Sequence, residues 1–465
     1  MIVSILMILI GFGIINGFLK DESILEKMAL GFLLGFGLVI VPLFFLTYFH
    51  IRLNASIVWI TLLSLLGLSF FLYTLFRQKK TGTFSLKGVM PWFKKLSIPQ
   101  RVLLSLIVTL FAASLIINLY WPVSTWDSIT LYDFRARLYT QGGLLTDLWE
   151  HVGRNSQALS YYYSYPPSTS LAHAVGYFIH DSQVMVVYSF FYIALVLIFL
   201  GNILRKTSLT AGFFLTFLLA SNTTLFYHST IAYTNLPYSA YLIALFFMLE
   251  RYIQTQRKEY FIIAVVFSLF GIVVRSIEPF YLVIASLLLI EAFKNRRYIW
   301  DFIILLASSY VFKKIVMAHF GRDLFFVSKQ LVKSSNLSVT KIINSLFDIN
   351  KLSEILIYVY HAMANYHLYI LLFVLCSIIF VKSFKKNFST AAIIILSILI
   401  LLPGTFVLSL SYDGWNKIPD SANRLMIFLY PLILYFLGSF PQVEKLLGTI
   451  LHFYPKKIAK KLKKI

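Results

Sequence analysis

Long apolar runs recur from one end of this chain to the other, and they limit its possible folds more than any other feature. A helix needs about 17–25 mostly apolar residues to cross the hydrocarbon core of a bilayer. Hydrophobic residues make up 59% of the 465 residues. Charged residues make up 13%, against roughly 25% in soluble domains. Because the alternation typical of membrane β-barrel strands is absent from the sequence, we predict an all-α polytopic membrane protein.

The basic residues predict how the chain is threaded through the membrane. The net charge is +22, and Lys and Arg collect in short segments between apolar runs, as they do in cytoplasmic loops. This distribution explains the charge without a nucleic acid partner, which we do not expect. The basic segments are 77–101, 205–206, 251–258, 294–297, 382–386 and 456–464.

One threading places all these segments in the cytoplasm, with the N-terminus outside as a retained span rather than a cleaved signal. It has about thirteen spans. They are 2–19, 28–48, 55–76, 102–119, 184–204, 208–226, 236–250, 260–274, 280–293, 299–317, 365–381, 389–410 and 425–440.

The threading divides the chain into four parts and leaves three long segments outside. The parts are a three-span extension 1–76, a cytoplasmic basic linker 77–101, a main transmembrane domain 102–440 and a basic cytoplasmic tail 441–465. The outside segments are 120–183, 318–364 and 411–424. The middle outside segment is net basic and fits the charge rule least well.

The first outside segment begins with charged and aromatic residues. Asp127 follows Trp126 shortly after an apolar span, and a carboxylate at that boundary can act as a general base towards a hydroxyl. Ser124 and Asp127 also have the spacing of a capping box, with Ser124 as the cap. Either role, or both together, is compatible with the sequence.

Further along this segment, Asp133 and Arg137 are four residues apart and can pair on one helical face. We interpret them either as an ordinary surface ion pair or as part of the site, with Asp133 as a second catalytic acid. Arg135 points in another direction and is expected to meet an anion, since the arginine fork matches the paired oxygens of phosphate.

Four later motifs supply candidate binding residues, each with a simpler alternative. Tyr165 precedes two prolines at a helix start; its ring suits a sugar or belongs to an interfacial aromatic belt. Asn235 binds a substrate hydroxyl or caps a helix. Arg275 and Glu278 flank a break between apolar runs, as a neutralised pair or as a phosphate site. Arg424 holds phosphate or anchors the last span.

Nucleotide and metal signatures are absent from the sequence. It contains no GxxxxGK[ST] phosphate loop and no HExxH pair. The single cysteine, Cys376, lies in an apolar run, so neither a disulfide framework nor a cysteine-based zinc site can form.

In their order and sidedness, these motifs resemble the membrane-embedded GT-C glycosyltransferases of the protein O-mannosyltransferase and aminoarabinose-transferase type. The resemblance covers residues 100–440 approximately. The matching motifs are Trp126-Asp127, Tyr165-Pro166-Pro167, Leu236-Pro237, and Arg424 with Pro431.

The resemblance implies a GT-C-like bundle of about 13 transmembrane helices with a helical first outside loop. It implies inverting transfer of a sugar from a polyprenyl-phosphate donor to a hydroxyl of a glycan, lipid or protein, outside the cytoplasm, with Asp127 as the base. We expect a prokaryotic plasma membrane. No cofactor is assigned, and a divalent metal is left open, because Ser128 and Asn235 stand where relatives often have acids.

Two other functions fit a similar architecture. A lipid-linked glycan polymerase or ligase would consume a lipid-linked oligosaccharide instead of a single sugar. A lipid-glycan transporter is expected to have internal pseudo-symmetry and paired polar residues within its spans, and neither is evident in the sequence. A purely structural scaffold fits poorly with the acidic first outside segment.

Overall fold

A computed structural model describes residues 1–19, 21–76, 95–147, 165–275, 278–319, 345, 347–411, 420–447 and 449. Over these residues the chain forms helices joined by turns, with no strand. Most of the predicted basic linker, most of the outside segments 318–364 and 411–424, and the end of the basic tail lie outside the described residues.

Each interval predicted as a span contains a helix. The first ten α-helices among the described residues are α1 Ile2–Phe18, α2 Ile24–Tyr48, α3 Ala55–Phe76, α4 Ile98–Tyr120, α5 Phe134–Thr140, α6 Ser168–Phe178, α7 Val186–Ile203, α8 Leu209–Ala220, α9 Thr223–His228 and α10 Asn235–Thr255.

The second half of the chain contributes ten more described helices, several of them shorter. They are α11 Lys258–Val274, α12 Glu278–Ala292, α13 Arg297–His319, α14 Ile349–Ala362, α15 His367–Ile379, α16 Val381–Lys386, α17 Phe388–Leu399, α18 Leu401–Ser411, α19 Asp420–Leu425 and α20 Leu429–Gly438.

Several helices have the length and composition needed to cross a bilayer. Among the described residues five qualify, and the number is seven if two bent helix pairs each count as one span. These helices indicate a membrane protein. The five are Ile24–Tyr48, Ala55–Leu75, Ile98–Tyr120, Val186–Ile203 and Phe388–Val407.

Helix α14 lies in a segment to which the sequence analysis assigned no helix. Asp348 caps it, accepting hydrogen bonds from the backbone N–H groups of Asn350 and Lys351 at 3.1 and 3.2 Å, as an N-cap residue does. The helix buries one face, which includes Ile355 and Val359. It is amphipathic, and a wholly apolar run, the pattern that predicts the other spans, is absent from this segment.

Helices α1 and α2 approach each other closely along glycines. A Cβ atom on Gly11 would lie 1.8 Å from the carbonyl oxygen of Gly31, and one on Gly35 would lie 1.8 Å from that of Met7. Small residues allow such close packing between membrane helices. Because α2 also packs against α7 and α10, the predicted three-span extension joins the main bundle.

One end of the bundle carries a network of ion pairs between segments that are far apart in sequence. Arg205 Nη2 lies 2.8 Å from Glu26 Oε2, and Lys206 Nζ lies 2.8 Å from Glu250 Oε1. The start of α2, the segment after α7 and the end of α10 therefore meet at one end, as the proposed threading requires of its cytoplasmic side.

We predict that Gly35→Ala destabilises the protein, although alanine favours helix more than glycine does. The added methyl group would overlap the backbone of α1, and overpacking costs about 1–3 kcal/mol. Thermal unfolding of the detergent-purified protein measures the effect. Gly67→Ala in α3 is the matched control, since no atom lies within 4 Å of its Cβ position. Equal melting temperatures for the two variants would contradict the packing described.

Candidate functional site

A small polar cavity gathers side chains from five separate stretches of the chain. Its volume is about 50 Å³, which is room for roughly three to four water molecules or one phosphate-sized group. Its lining combines one carboxylate, two guanidinium groups, one amide and three phenol rings. The lining residues are Asp127, Tyr132, Tyr165, Tyr233, Asn235, Arg275 and Arg424.

Arg275 is held in place by three neighbours. It ends α11, and its Nη1 donates to Thr234 Oγ1 at 3.0 Å and to Asn235 Oδ1. Its guanidinium carbon lies 5.0 Å from the centroid of the Tyr165 ring, within the range of a cation–π contact. The Nε atom is buried and has no hydrogen-bond partner among the described residues. Such an unsatisfied donor suits a bound anion.

Arg424 and Asp127 line the cavity together with Tyr233. The guanidinium carbon of Arg424 lies 5.4 Å from the Tyr233 ring centroid. Burial, and next the charge of Asp127, raise the pKa of Tyr233. The Asp127 carboxylate and the Arg424 guanidinium therefore both interact with the Tyr233 phenol.

A π-helix, Ser128–Asp133, sets the position of Asp127. The buried Ser128 Oγ lies 2.6 Å from Thr125 Oγ1 and accepts a hydrogen bond of 3.1 Å from the backbone N–H of Ala232. This contact ties the Asp127 loop to the turn that carries Tyr233. Single π-helical turns often occur at functional sites.

The capping box predicted for Ser124 and Asp127 is wrong. Helical residues begin at Trp126, and Thr125 has a φ of 76°, a left-handed conformation that is unusual for a β-branched residue. Asp127 is thereby directed to the cavity instead of lying in the third position of a capped helix. Strained backbone of this kind is typical of functional sites.

Asp133 does not line the cavity, so we withdraw its predicted catalytic role. Its predicted pair with Arg137 is confirmed, with Nε and Oδ2 2.8 Å apart. The Tyr177 hydroxyl also donates to it, and His173 Nδ1 lies 3.5 Å away. Burial would raise its pKa, but hydrogen bonds from His173, Tyr177 and Arg137 outweigh this and lower the pKa to about 2. Asp133 thus anchors the end of the π-helix.

The prediction that Arg135 is available to meet an anion is also wrong. The side chain is fully buried. Its Nε donates to Ser170 Oγ at 3.0 Å and its Nη1 donates to the Tyr165 carbonyl at 2.8 Å. Its guanidinium carbon also lies 5.6 Å from the centroid of the Tyr132 ring. Arg135 therefore supports two tyrosines of the cavity lining, Tyr132 and Tyr165, without lining the cavity itself.

Two further predicted site residues, Arg137 and Trp126, are not among the residues that line the cavity. Arg137 is exposed, paired with Asp133, and 5.3 Å from the centroid of the Tyr177 ring. Trp126 precedes Asp127 and is 76% exposed, which suits contact with the membrane surface or a large ligand. Glu278 begins α12, and its side chain is outside the described part of the chain.

Asn235 reaches the cavity in a role that sequence reasoning did not assign. Helix α10 has Thr234 at its N-cap, without a side-chain cap bond, so the capping interpretation of Asn235 is wrong. Its buried amide oxygen instead accepts a hydrogen bond from Arg275.

Two lining residues, Tyr132 and Tyr233, were not predicted from the sequence. Tyr233 carried a signal, because it lies two residues before Asn235 in the same turn.

Across the described ranges, no group of three or more His, Cys, Asp or Glu side chains could hold a metal ion. Comparison with protein-family models, curated proteins and solved structures found no match to this chain. Its function is therefore inferred from the chemistry of the cavity and its surroundings.

His228 is a buried neighbour of the cavity whose charge state affects it. Its ring centroid lies 6.0 Å from that of Tyr233. Burial, followed by the positive charges of Arg424 and Arg275, lowers its pKa to about 3. A neutral imidazole lets two guanidinium groups lie nearby without a third positive charge.

We predict that acidification destabilises the fold through His228. Below its ordinary pKa of 6.5 the unfolded chain takes up a proton that the folded chain does not accept until about pH 3. Stability therefore falls as the pH drops from 6.5 towards 3. In thermal unfolding between pH 7 and pH 4, His228→Asn should lose less stability than the wild type. His180→Asn, at an exposed position, is the control. Identical pH dependence of wild type and His228→Asn would rule out this effect.

Proposed function

We propose that this chain is a membrane glycosyltransferase that moves a sugar from a polyprenyl-phosphate donor to an acceptor hydroxyl, with inversion, outside the cytoplasm. One observation carries the proposal. Asp127, Arg275 and Arg424 line a single cavity, and Arg275 also lines a large apolar groove. A carboxylate, two cations and an apolar channel are the parts that such a donor requires.

The groove lies between α10, α11, α12 and α13 and has a volume of about 690 Å³, which is within the usual range of ligand sites. Its wall is mainly apolar. Leu282 and Ile303 at its edge are 46% and 45% exposed, so the groove opens on the side of the bundle. A prenyl chain in the groove would place its phosphate beside Arg275. The apolar wall includes Leu242, Leu245, Phe267, Ile272, Ile303 and Leu306.

The cavity supplies the groups needed for inverting transfer. The Asp127 carboxylate takes the proton of the acceptor hydroxyl while that oxygen attacks the anomeric carbon. The bond from this carbon to the phosphate oxygen breaks, and the electron pair stays with the phosphate. Arg275 and Arg424 stabilise the charge that develops there. Attack from the face opposite the phosphate inverts the anomeric centre. The half-buried ring of Tyr165 offers a flat surface for the sugar.

We further propose a GT-C-like bundle of about thirteen spans with a helical first outside loop, in a prokaryotic plasma membrane. Two observations support this topology. The ion pairs of Arg205 and Lys206 gather segments that the charge rule assigns to the cytoplasm. The segment that follows α4, the end of α11 and the start of α10 meet around the cavity, as expected if all three lie on the other side. The acceptor would be a glycan, lipid or protein.

We predict that Asp127→Asn lowers sugar transfer at least about 100-fold, because a general base contributes about 10²–10⁴-fold. Its expression and its affinity for polyprenyl phosphate should stay near wild type. The assay follows radiolabelled sugar from a panel of polyprenyl-phosphate monosaccharides into native membrane acceptors. Asp147→Asn in the same loop, outside the cavity lining, is the control. Near-wild-type transfer by Asp127→Asn would remove this residue from the mechanism.

We predict that Arg275→Ala and Arg424→Ala each weaken binding of sugar-free polyprenyl phosphate about tenfold or more. A hydrogen bond to a charged group contributes about 1.5–3 kcal/mol. Binding is measured on the purified protein in detergent. Arg52→Ala is the matched control, since its exposed side chain pairs with Asp147 away from the cavity. Unchanged affinity in both test variants would refute the phosphate assignment.

A further inference from the structure

A glycine, Gly271, lies in the wall of the groove one helical turn before Arg275. The backbone N–H of Arg275 donates to the carbonyl oxygen of Gly271 at 2.9 Å, and one turn of an α-helix rises about 5.4 Å. The groove residues of α11 follow helical spacing, which places them on one face. They are Phe267, Ser268, Gly271, Ile272 and Arg275. A lipid chain that runs from Arg275 along this face therefore meets Gly271 in the first turn.

Close packing of helices is the usual reason for a glycine inside a membrane helix, but it does not explain Gly271. Among the described residues, a Cβ atom on Gly271 would have one neighbour within 4 Å, the Cβ of Tyr241 at 3.6 Å. That separation is an ordinary van der Waals contact. A Cβ atom on Gly11 or Gly35 would instead lie 1.8 Å from a backbone oxygen. The packing of α10 against α11 therefore has room for a side chain at Gly271.

The side chain of Tyr241, which also lines the groove, is held in place beside Gly271. Its hydroxyl donates to the carbonyl oxygen of Leu33 at 2.7 Å. Its ring centroid lies 6.0 Å from that of Phe267 and 6.4 Å from that of Phe270. Contacts with α2 and α11 thus keep the ring out of the space at Gly271. Because glycine stabilises a helix less than alanine does, a contact with a ligand in the groove would account for glycine at this position.

We propose that the bare backbone at Gly271 binds the phosphate-proximal isoprene unit of the donor lipid. This inference rests on the proposed function and identifies the groove residue that determines how closely the lipid is held. With the phosphate at Arg275, the first isoprene unit lies against α11 at Gly271 and beside the side chain of Tyr241. The absence of a side chain lets the lipid approach the helix closely, which increases the dispersion contacts between them.

Two measurements on the full-length protein in detergent test this role, the affinity for sugar-free polyprenyl monophosphate and the melting temperature. Gly271→Ala should raise the melting temperature, because alanine favours helix and the added methyl group meets no close contact. The same variant should bind the lipid about fourfold or more weakly, as expected when one buried methyl-sized contact is lost. Gly271→Leu, which fills more of the groove, should weaken binding at least about tenfold.

The matched control is Gly67→Ala. Gly67 lies inside α3, with no atom within 4 Å of its Cβ position, and it does not line the groove. This variant should also raise the melting temperature, but it should leave the affinity for polyprenyl monophosphate unchanged.

Each other outcome overturns the role of Gly271. Wild-type affinity in both Gly271 variants, while Arg275→Ala weakens binding, overturns this role alone and leaves the proposed function in place. A melting temperature of Gly271→Ala below that of the wild type overturns it too, because the glycine would then serve helix packing. An equal loss of affinity in Gly67→Ala would assign the effect to helix stability instead of the groove. A wild type that does not bind polyprenyl monophosphate overturns the proposed function as well.

Discussion

The contact of Arg275 with its three neighbours organises the proposed reaction centre. Its guanidinium joins the end of α11 to Thr234 and Asn235 at the start of α10 and stacks on Tyr165 from a third segment. The same side chain borders the polar cavity and the apolar groove. A cation fixed by an amide, a hydroxyl and a ring loses little further freedom on binding, which favours affinity for an anion.

The surroundings of the cavity preserve this arrangement through buried polar contacts. Arg135 holds the backbone of Tyr165, and Ser128 ties the Asp127 loop to the turn of Tyr233 through Ala232. Asp133 anchors the other end of the π-helix. These residues support the cavity wall and hold the groups that, in the proposed reaction, contact the substrate. Such support matters because electrostatic stabilisation of a leaving group depends on cations that are already in place.

The sequence predicted the positions of most helices, but it predicted less well which contacts each charged side chain makes. Apolar runs identify helices because their composition alone makes a helix the favoured state in a bilayer. The amphipathic α14 was missed for the same reason. Five residues that were predicted separately as site residues line the same cavity. They are Asp127, Tyr165, Asn235, Arg275 and Arg424. Asp133 and Arg135 were not assigned correctly, because the π-helical turn Ser128–Asp133 changes which side chains face the cavity, and no local pattern signals that turn.

A density map of the protein with bound polyprenyl phosphate tests the central claim most directly. We expect the phosphate within about 3 Å of donors on both Arg275 and Arg424, with the first prenyl units in the groove and Asp127 on the side of the phosphate that the sugar would occupy. A phosphate bound away from both arginines, or an Asp127 carboxylate that faces a different space, would contradict the account. Either result would mean that the carboxylate and the cations do not form one reaction centre.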